Sequence, residues 1–153
     1  MGSGVVAKRA QNRFVRFEQI KKKPRQKPIR YEEQEEMEAL AAYLDGHPAI
    51  SRRWFHPPNE GKRTIAQQMR AAKIGLKSGV PDVLIMRPCE RDGVWYSFVA
   101  IELKRQKKPG RRDSRLSDTQ LLWFIELAAS GGLTFLAHGY KEALDFLARV
   151  EWL

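Results

Sequence analysis

Cysteine is almost missing from this chain of 153 residues: Cys89 stands alone, so no internal disulfide can form. Histidine is nearly as scarce, with three residues in all and no Cys/His spacing of the structural-zinc kind. The sequence has no run approaching the roughly 18 apolar residues of a membrane span. Its N-terminus has no apolar segment of the secretory type. These absences set the expectation of a cytoplasmic protein (host cytoplasm if the source is viral) with no membrane partner. A P-loop is missing too, because Gly75-Leu76-Lys77-Ser78-Gly79 is not followed by the Lys-Ser/Thr that cradles a nucleotide phosphate.

Acidic residues are scarce at one end only. Lys and Arg total 28 against 18 Asp and Glu, and residues 1–31 hold ten of the bases but only one acid, Glu18. The rest of the chain carries 18 basic and 17 acidic groups, so the excess is a basic N-terminal arm on a nearly neutral body. A charge run of this kind is ordinarily a solvated tail. It also suits phosphate binding, because every Lys or Arg brought to a phosphate releases condensed counterions. The expected organisation is an arm over 1–31 and a single domain over 32–153.

Within that domain, Met37, Leu40 and Leu44 predict a helix over 32–44, stopped by Gly46 and Pro48. Extended back one turn, its buried stripe passes through Glu33, with Glu36 four residues before Leu40. Residues 50–56 read as a strand, 62–74 as a helix, 83–86 as a buried strand and 88–93 as a turn. Residues 95–104 are apolar on both faces, the mark of a central, doubly covered strand. Ser117 and Gln120 form a capping box for a helix expected to bury Leu121, Ile125 and Ala128, and Gly131-Gly132 ends it. A strand over 133–138 and a helix over 142–150, with Leu144, Leu147 and Val150 inward, complete the chain. Trp54, Trp95, Trp123 and Trp152 are expected in the core, while His56 and His138 lie at strand ends and read as packed or exposed. The fold class is α/β, a mixed central sheet of about four strands flanked by helices.

Chemistry concentrates on the central strand. Side chains at i and i+2 share a strand face, so Glu102 and Lys104 sit side by side beyond Phe98 and Ala100. Burying a carboxylate and an ammonium on an apolar face is costly without a purpose. Asp82, directly after Pro81, heads the strand over 83–86, and pairing of these two strands brings it towards Glu102. Two carboxylates with waters and a phosphate oxygen make an all-oxygen site for Mg²⁺ or Mn²⁺. Such a metal lowers the pKa of a bound water, and a neighbouring lysine steadies developing negative charge. Glu-x-Lys is also a common solvated ion pair and Pro-Asp a common turn dipeptide. The residues alone leave both readings open.

Three segments in order carry a resemblance: Gly79-Val80-Pro81-Asp82, Ile101-Glu102-Leu103-Lys104, and Arg115-Leu116-Ser117-Asp118-Thr119-Gln120-Leu121-Leu122-Trp123. Together they resemble the signature of the VRR-NUC (virus-type replication–repair nuclease) branch of the PD-(D/E)xK nucleases, over roughly residues 32–150. Pro58-Asn59-Glu60-Gly61-Lys62-Arg63 is similar to a stretch of the small bacterial and phage members. The resemblance implies a restriction-endonuclease-like core and a metal-dependent DNA endonuclease, with Asp82 and Glu102 as ligands of Mg²⁺ or Mn²⁺ and Lys104 as the catalytic lysine. It further implies a glutamate from the first helix. The run Glu32-Glu33-Gln34-Glu35-Glu36 leaves that residue open, Glu33 being favoured by its inward stripe and Glu36 next. Gln120 is expected close to the site.

DNA contacts are expected from Asn59 and Arg63, and from the basic loop that follows the catalytic lysine: Arg105, Lys107, Lys108, Arg111, Arg112 and Arg115. The likeness to stand-alone phage members implies branched substrates such as Holliday junctions or flaps, a role in DNA repair, and a homodimer. The rival readings are a sequence-specific restriction-type nuclease, a non-catalytic nucleic-acid-binding module and an RNA-directed enzyme.

Overall fold

The computed structural model describes residues 29–58 and 63–153; the basic arm up to residue 28, and Asn59, lie outside them. In chain order the described elements are α1 (Ile29–Gly46), β1 (Trp54–Phe55), α2 (Ile65–Lys73), β2 (Val83–Ile85), β3 (Cys89–Arg91), β4 (Val94–Tyr96), β5 (Phe98–Lys104), α3 (Asp118–Ala129), β6 (Gly132–His138), α4 (Tyr140–Leu147) and β7 (Glu151–Trp152). Four strands form a mixed sheet in the order β1-β2-β5-β6. The β1–β2 and β2–β5 pairs are antiparallel, and β5–β6 is parallel. A smaller sheet, β4-β3-β7, stands beside it.

The strand with apolar residues on both faces is indeed central. On one face of β5, Val99, Ile101 and Leu103 join Leu40 and Leu44 of α1 and Ala143, Phe146 and Leu147 of α4 in the core. The opposite face carries Phe98, Ala100, Glu102 and Lys104 and lies under α3, the crossover helix that parallel β5 and β6 need. Helix α2 has no buried residue and rides on the surface.

Several segments depart from the sequence expectation. Only Trp54–Phe55 of the expected strand over 50–56 pairs; Ile50 and Ser51 instead donate to the carbonyl of His47 and wind the chain into turns. The expected turn over 88–93 is a hairpin, β3–β4, closed by Asp92 and Gly93 at φ 53° and 77°. That is the left-handed Asp-Gly pair a two-residue hairpin loop calls for. The long strand over 95–104 breaks at Ser97, whose N–H is drawn to the Gly131 carbonyl at 2.8 Å. Trp95 is thereby carried into the small sheet and left 66% exposed, outside the core expected for it. At the C-terminus the helix stops at Leu147, and Glu151–Trp152 adds a strand to β3.

Helix α3 buries a different face from the one expected. Leu121 and Ile125 are 49% and 56% exposed, and Ala128 is exposed as well. Gln120, Trp123, Phe124 and Leu127 are the sheltered residues, an i, i+3, i+4, i+7 stripe that starts at the capping-box glutamine. The helix is apolar nearly all round, so periodicity could not choose; the bonds made by Gln120 to the sheet did.

Leu40 is fully buried between α1 and β5. Leu40→Ala is expected to lower the unfolding free energy by about 2–5 kcal/mol, read from urea titration, because the packed core cannot close the cavity.

Candidate active site

Pro81 and Asp82 follow Gly79, whose φ of +77° turns the loop back while it presses on α3; a Cβ there would meet Thr119 Cγ2 at 2.7 Å. The β2–β5 register then sets Val83 opposite Ile101, so Asp82 stands beside Glu102 at the end of the ladder. Asp82 is tied to β5 directly: its Oδ2 accepts the Leu103 N–H at 2.8 Å. Around this point a cavity of about 240 Å³ gathers Glu33, His56, Asp82, Glu102, Lys104 and Gln120, walled by Met37, Gly79, Val80 and Leu103.

Among the described residues Glu102 is the buried charge of the core, with 2% of its surface exposed. Its Oε1 accepts from Lys104 Nζ at 2.7 Å and, in a very short contact, from Gln120 Nε2. Gln120 Oε1 in turn accepts from Lys104 Nζ at 3.2 Å and from the Ser117 N–H at 2.9 Å. The glutamine thus completes the capping box and the site with the same amide. The other Glu102 oxygen, Oε2, is buried and has no hydrogen-bond partner. Burial first, and then the Asp82 carboxylate, push the Glu102 pKa up to about 7 against the pull of Lys104.

An orphaned carboxylate oxygen, with a second carboxylate lining the same cavity, fits a hard divalent cation, which accepts oxygen ligands and favours the ionised acid. Among the described residues no cluster of three or more His, Cys, Asp and Glu side chains is close enough to cage a metal by itself. Mg²⁺ needs no such cage: one or two carboxylates usually hold it, with waters and substrate phosphates completing the shell. Asp82 and Glu102 meet that requirement, and Glu33 lines the same cavity.

The acidic run of α1 divides into separate tasks. Glu33 faces the cavity. Glu36 points elsewhere: its Oε2 accepts the Tyr140 N–H at 2.6 Å, and so caps α4. It is not brought to the cavity with Asp82 and Glu102, because a free helix N–H has taken its carboxylate. Glu32 bridges the basic loop, at 2.8 Å from Lys108 Nζ and 3.0 Å from Arg111 Nη1, and the Lys108 hydrogen bond foremost holds its pKa below the usual range.

Elsewhere in that loop, Arg105 donates to the Arg112 carbonyl at 2.7 Å, while Lys107, Arg112 and Arg115 are exposed. Arg63 donates to the Pro58 carbonyl at 2.7 Å and borders a separate, roomier cleft of about 410 Å³ with Gln68, Lys77 and Ser78. That cleft holds no carboxylate, so the metal argument stays with the smaller cavity. His56 was not expected in the site. Its ring reaches the Asp82 carbonyl 26 residues away, a contact that depends on β1–β2 pairing and leaves no trace in local sequence.

The fold, a mixed four-stranded sheet flanked by helices, is consistent with a VRR-NUC nuclease domain, and an acid pair and a lysine stand at the end of its central strand. The VRR-NUC domain family matches residues 10–141, and the chain belongs to that family. Its function is accordingly of the nuclease type. A solved VRR_NUC domain protein shares the fold with a TM-score of 0.61 and 18% identity, over 76% of this chain and 84% of that one. No match appears among the curated proteins. No helix among the described residues is long and apolar enough to cross a membrane.

The Glu102 shift has a sign that can be tested. A carboxyl whose pKa rises from 4.5 to about 7 on folding favours the fold below pH 4.5, and that contribution is lost as pH rises through 7. Metal-free protein is expected to lose on the order of 3 kcal/mol over this window relative to Glu102→Gln. Glu32, shifted the other way, is common to both proteins and cancels in the comparison. Urea titrations of the two proteins at pH 5 and pH 8 check this; parallel pH profiles would contradict it.

Proposed function

We propose that this protein is a Mg²⁺- or Mn²⁺-dependent DNA endonuclease of the PD-(D/E)xK type, hydrolysing phosphodiester bonds and preferring branched DNA. The observation that carries the reading is the buried Glu102 carboxylate, whose Oε2 lacks a hydrogen-bond partner, beside a cavity that Asp82 also lines. Asp82 and Glu102 would hold the cation, with Glu33 contributing directly or through water. When bound, the metal supplies a lowered pKa for water and charge neutralisation at the scissile phosphate.

The chain's own residues supply the rest. Lys104, kept in place between Glu102 and Gln120, directs its ammonium to where negative charge grows during attack on phosphorus. Gln120 fixes the Lys104 rotamer while staying locked to the helix start, so the lysine is preorganised at little entropic cost. Lys107, Arg112 and Arg115 lie exposed on the loop that leaves the catalytic strand, within reach of flanking phosphates.

A second basic surface supports DNA as the substrate. Described residues 63–81 include Arg63, Arg70, Lys73 and Lys77 and no acid. On this segment Ile65, Met69 and Ile74 are 78%, 59% and 86% exposed, apolar groups suited to bases laid open at a branch. The reading extends to a homodimer, which would present one site to each of two strands.

Labelled single-strand, duplex, flap and four-way-junction DNA, incubated with Mg²⁺ or Mn²⁺, tests the proposal. Cutting is expected only with metal, most rapidly on branched substrates, with losses on the order of 10²–10³-fold or more in Asp82→Asn and Lys104→Ala. Binding without cutting under either metal would overturn the enzyme reading. In a separate binding titration, Arg70→Ala with Lys73→Ala is expected to flatten the dependence of log affinity on log salt by about 0.9 per phosphate contact removed. An unchanged slope would take α2 out of the interface.

A further inference from the structure

Asp82 sits where the pairing of the sheet stops. Val83↔Ile101 is the last rung of the β2–β5 ladder at this end. Pro81, one residue further out, has no N–H with which to continue it. The Asp82 peptide is therefore not oriented by ladder bonds, although its carboxylate must face Glu102 with little freedom if the two are to share a cation. Two of its contacts bear on it from opposite ends. The Leu103 N–H fixes Oδ2 from the β5 side, at 2.8 Å. From the β1 side the ring of His56 places Nδ1 2.5 Å from the Asp82 carbonyl oxygen.

A carbonyl oxygen can only accept, so His56 Nδ1 carries the hydrogen and donates it. This holds for the neutral and the charged ring alike. The donor comes from a firm base: His56 directly follows β1, whose Trp54 and Phe55 pair with Ile85 and Leu84 of β2. The same ring borders the cavity between Glu33 and Asp82.

We propose that His56 is a positioning residue, whose Nδ1–H clamps the Asp82 main chain and so fixes the direction in which the Asp82 carboxylate meets Glu102. The inference rests on the metal-site reading above and adds to it a group that helps to hold the acid pair in place. Residues that hold a ligating carboxylate from behind typically govern metal affinity by about 10–100-fold, because a mobile ligand must be ordered at every binding event. Without His56 the Asp82 carbonyl loses this donor at a point where the ladder supplies none.

Isosteres separate this role from others. Asparagine places an amide N–H where imidazole Nδ1 lies; glutamine places one nearer the position of Nε2. The experiment is calorimetric titration of Mn²⁺ into the full-length, metal-free protein, without DNA, for wild type, His56→Ala, His56→Asn and His56→Gln. Thermal melting of each protein serves as the check on folding. Mn²⁺ affinity is expected to fall at least 10-fold in His56→Ala and His56→Gln, and to stay within about threefold of wild type in His56→Asn. Should His56→Ala melt far below the others, the contrast between Asn and Gln, both folded, still decides. Equal affinity in all four proteins would overturn the proposal. So would rescue by Gln and not Asn, which would mean that the ring acts through Nε2. A wild-type protein that takes up no Mn²⁺ would instead overturn the metal-site reading, and this inference with it.

Discussion

The Glu102 carboxylate lies in the middle of a sheet, under a helix, with its surface sealed from water, and much of the surrounding structure answers to that. A buried carboxylate is tolerated only when other groups replace its hydration. On one oxygen the replacement is complete, since Lys104 and Gln120 both reach Oε1. Oε2 is left buried and without a hydrogen-bond partner, beside the cavity that Asp82 lines. The position of α3 follows from this arrangement. Its capping box holds Gln120 at the first turn, Gln120 bonds the sheet, and the helix rotation is thereby set so that Trp123, Phe124 and Leu127 cover the strands. The same constraint holds Lys104 beside the acid pair.

Charge around the site is divided by geometry more than by sequence neighbourhood. Four glutamates lie within five residues at the start of α1, yet three of them do unrelated things. Glu32 neutralises two cations of the basic loop, Glu33 faces the cavity, and Glu36 satisfies an N–H at the start of α4. Helical rotation accounts for the split, because residues 32, 33 and 36 project towards different neighbours. Bridging by Glu32 also ties Lys108 and Arg111 to the domain, although Lys108 stays exposed along with Lys107, Arg112 and Arg115.

Much of this could be read in the residues, and the misses have definite causes. Apolar residues on both faces of β5 announced a central strand, and the two-residue period put Glu102 and Lys104 on one face; the spacing of Ser117 and Gln120 announced the helix start. Those signals are local, arising within a few residues of where they act. The inward face of α3 was not legible, because Leu121, Leu122, Ile125 and Leu127 offer apolar stripes on several sides. A long-range bond to Glu102 made the choice. The break at Ser97 is set by the Gly131 carbonyl, and the Asp92-Gly93 hairpin signal was present but absorbed into a turn. His56 was passed over because its partner is a main-chain carbonyl brought near only by strand pairing.

The central claim is that the acid pair at the end of β5 is a cation site built around the unpartnered oxygen of Glu102. Crystals grown with Mn²⁺ and measured for anomalous scattering test it most directly. The account predicts a peak about 2.0–2.5 Å from Glu102 Oε2 and within ligand distance of the Asp82 carboxylate. A peak confined to Glu32 or Glu36, or none beside Glu102 in Mn²⁺-saturated crystals, would contradict it.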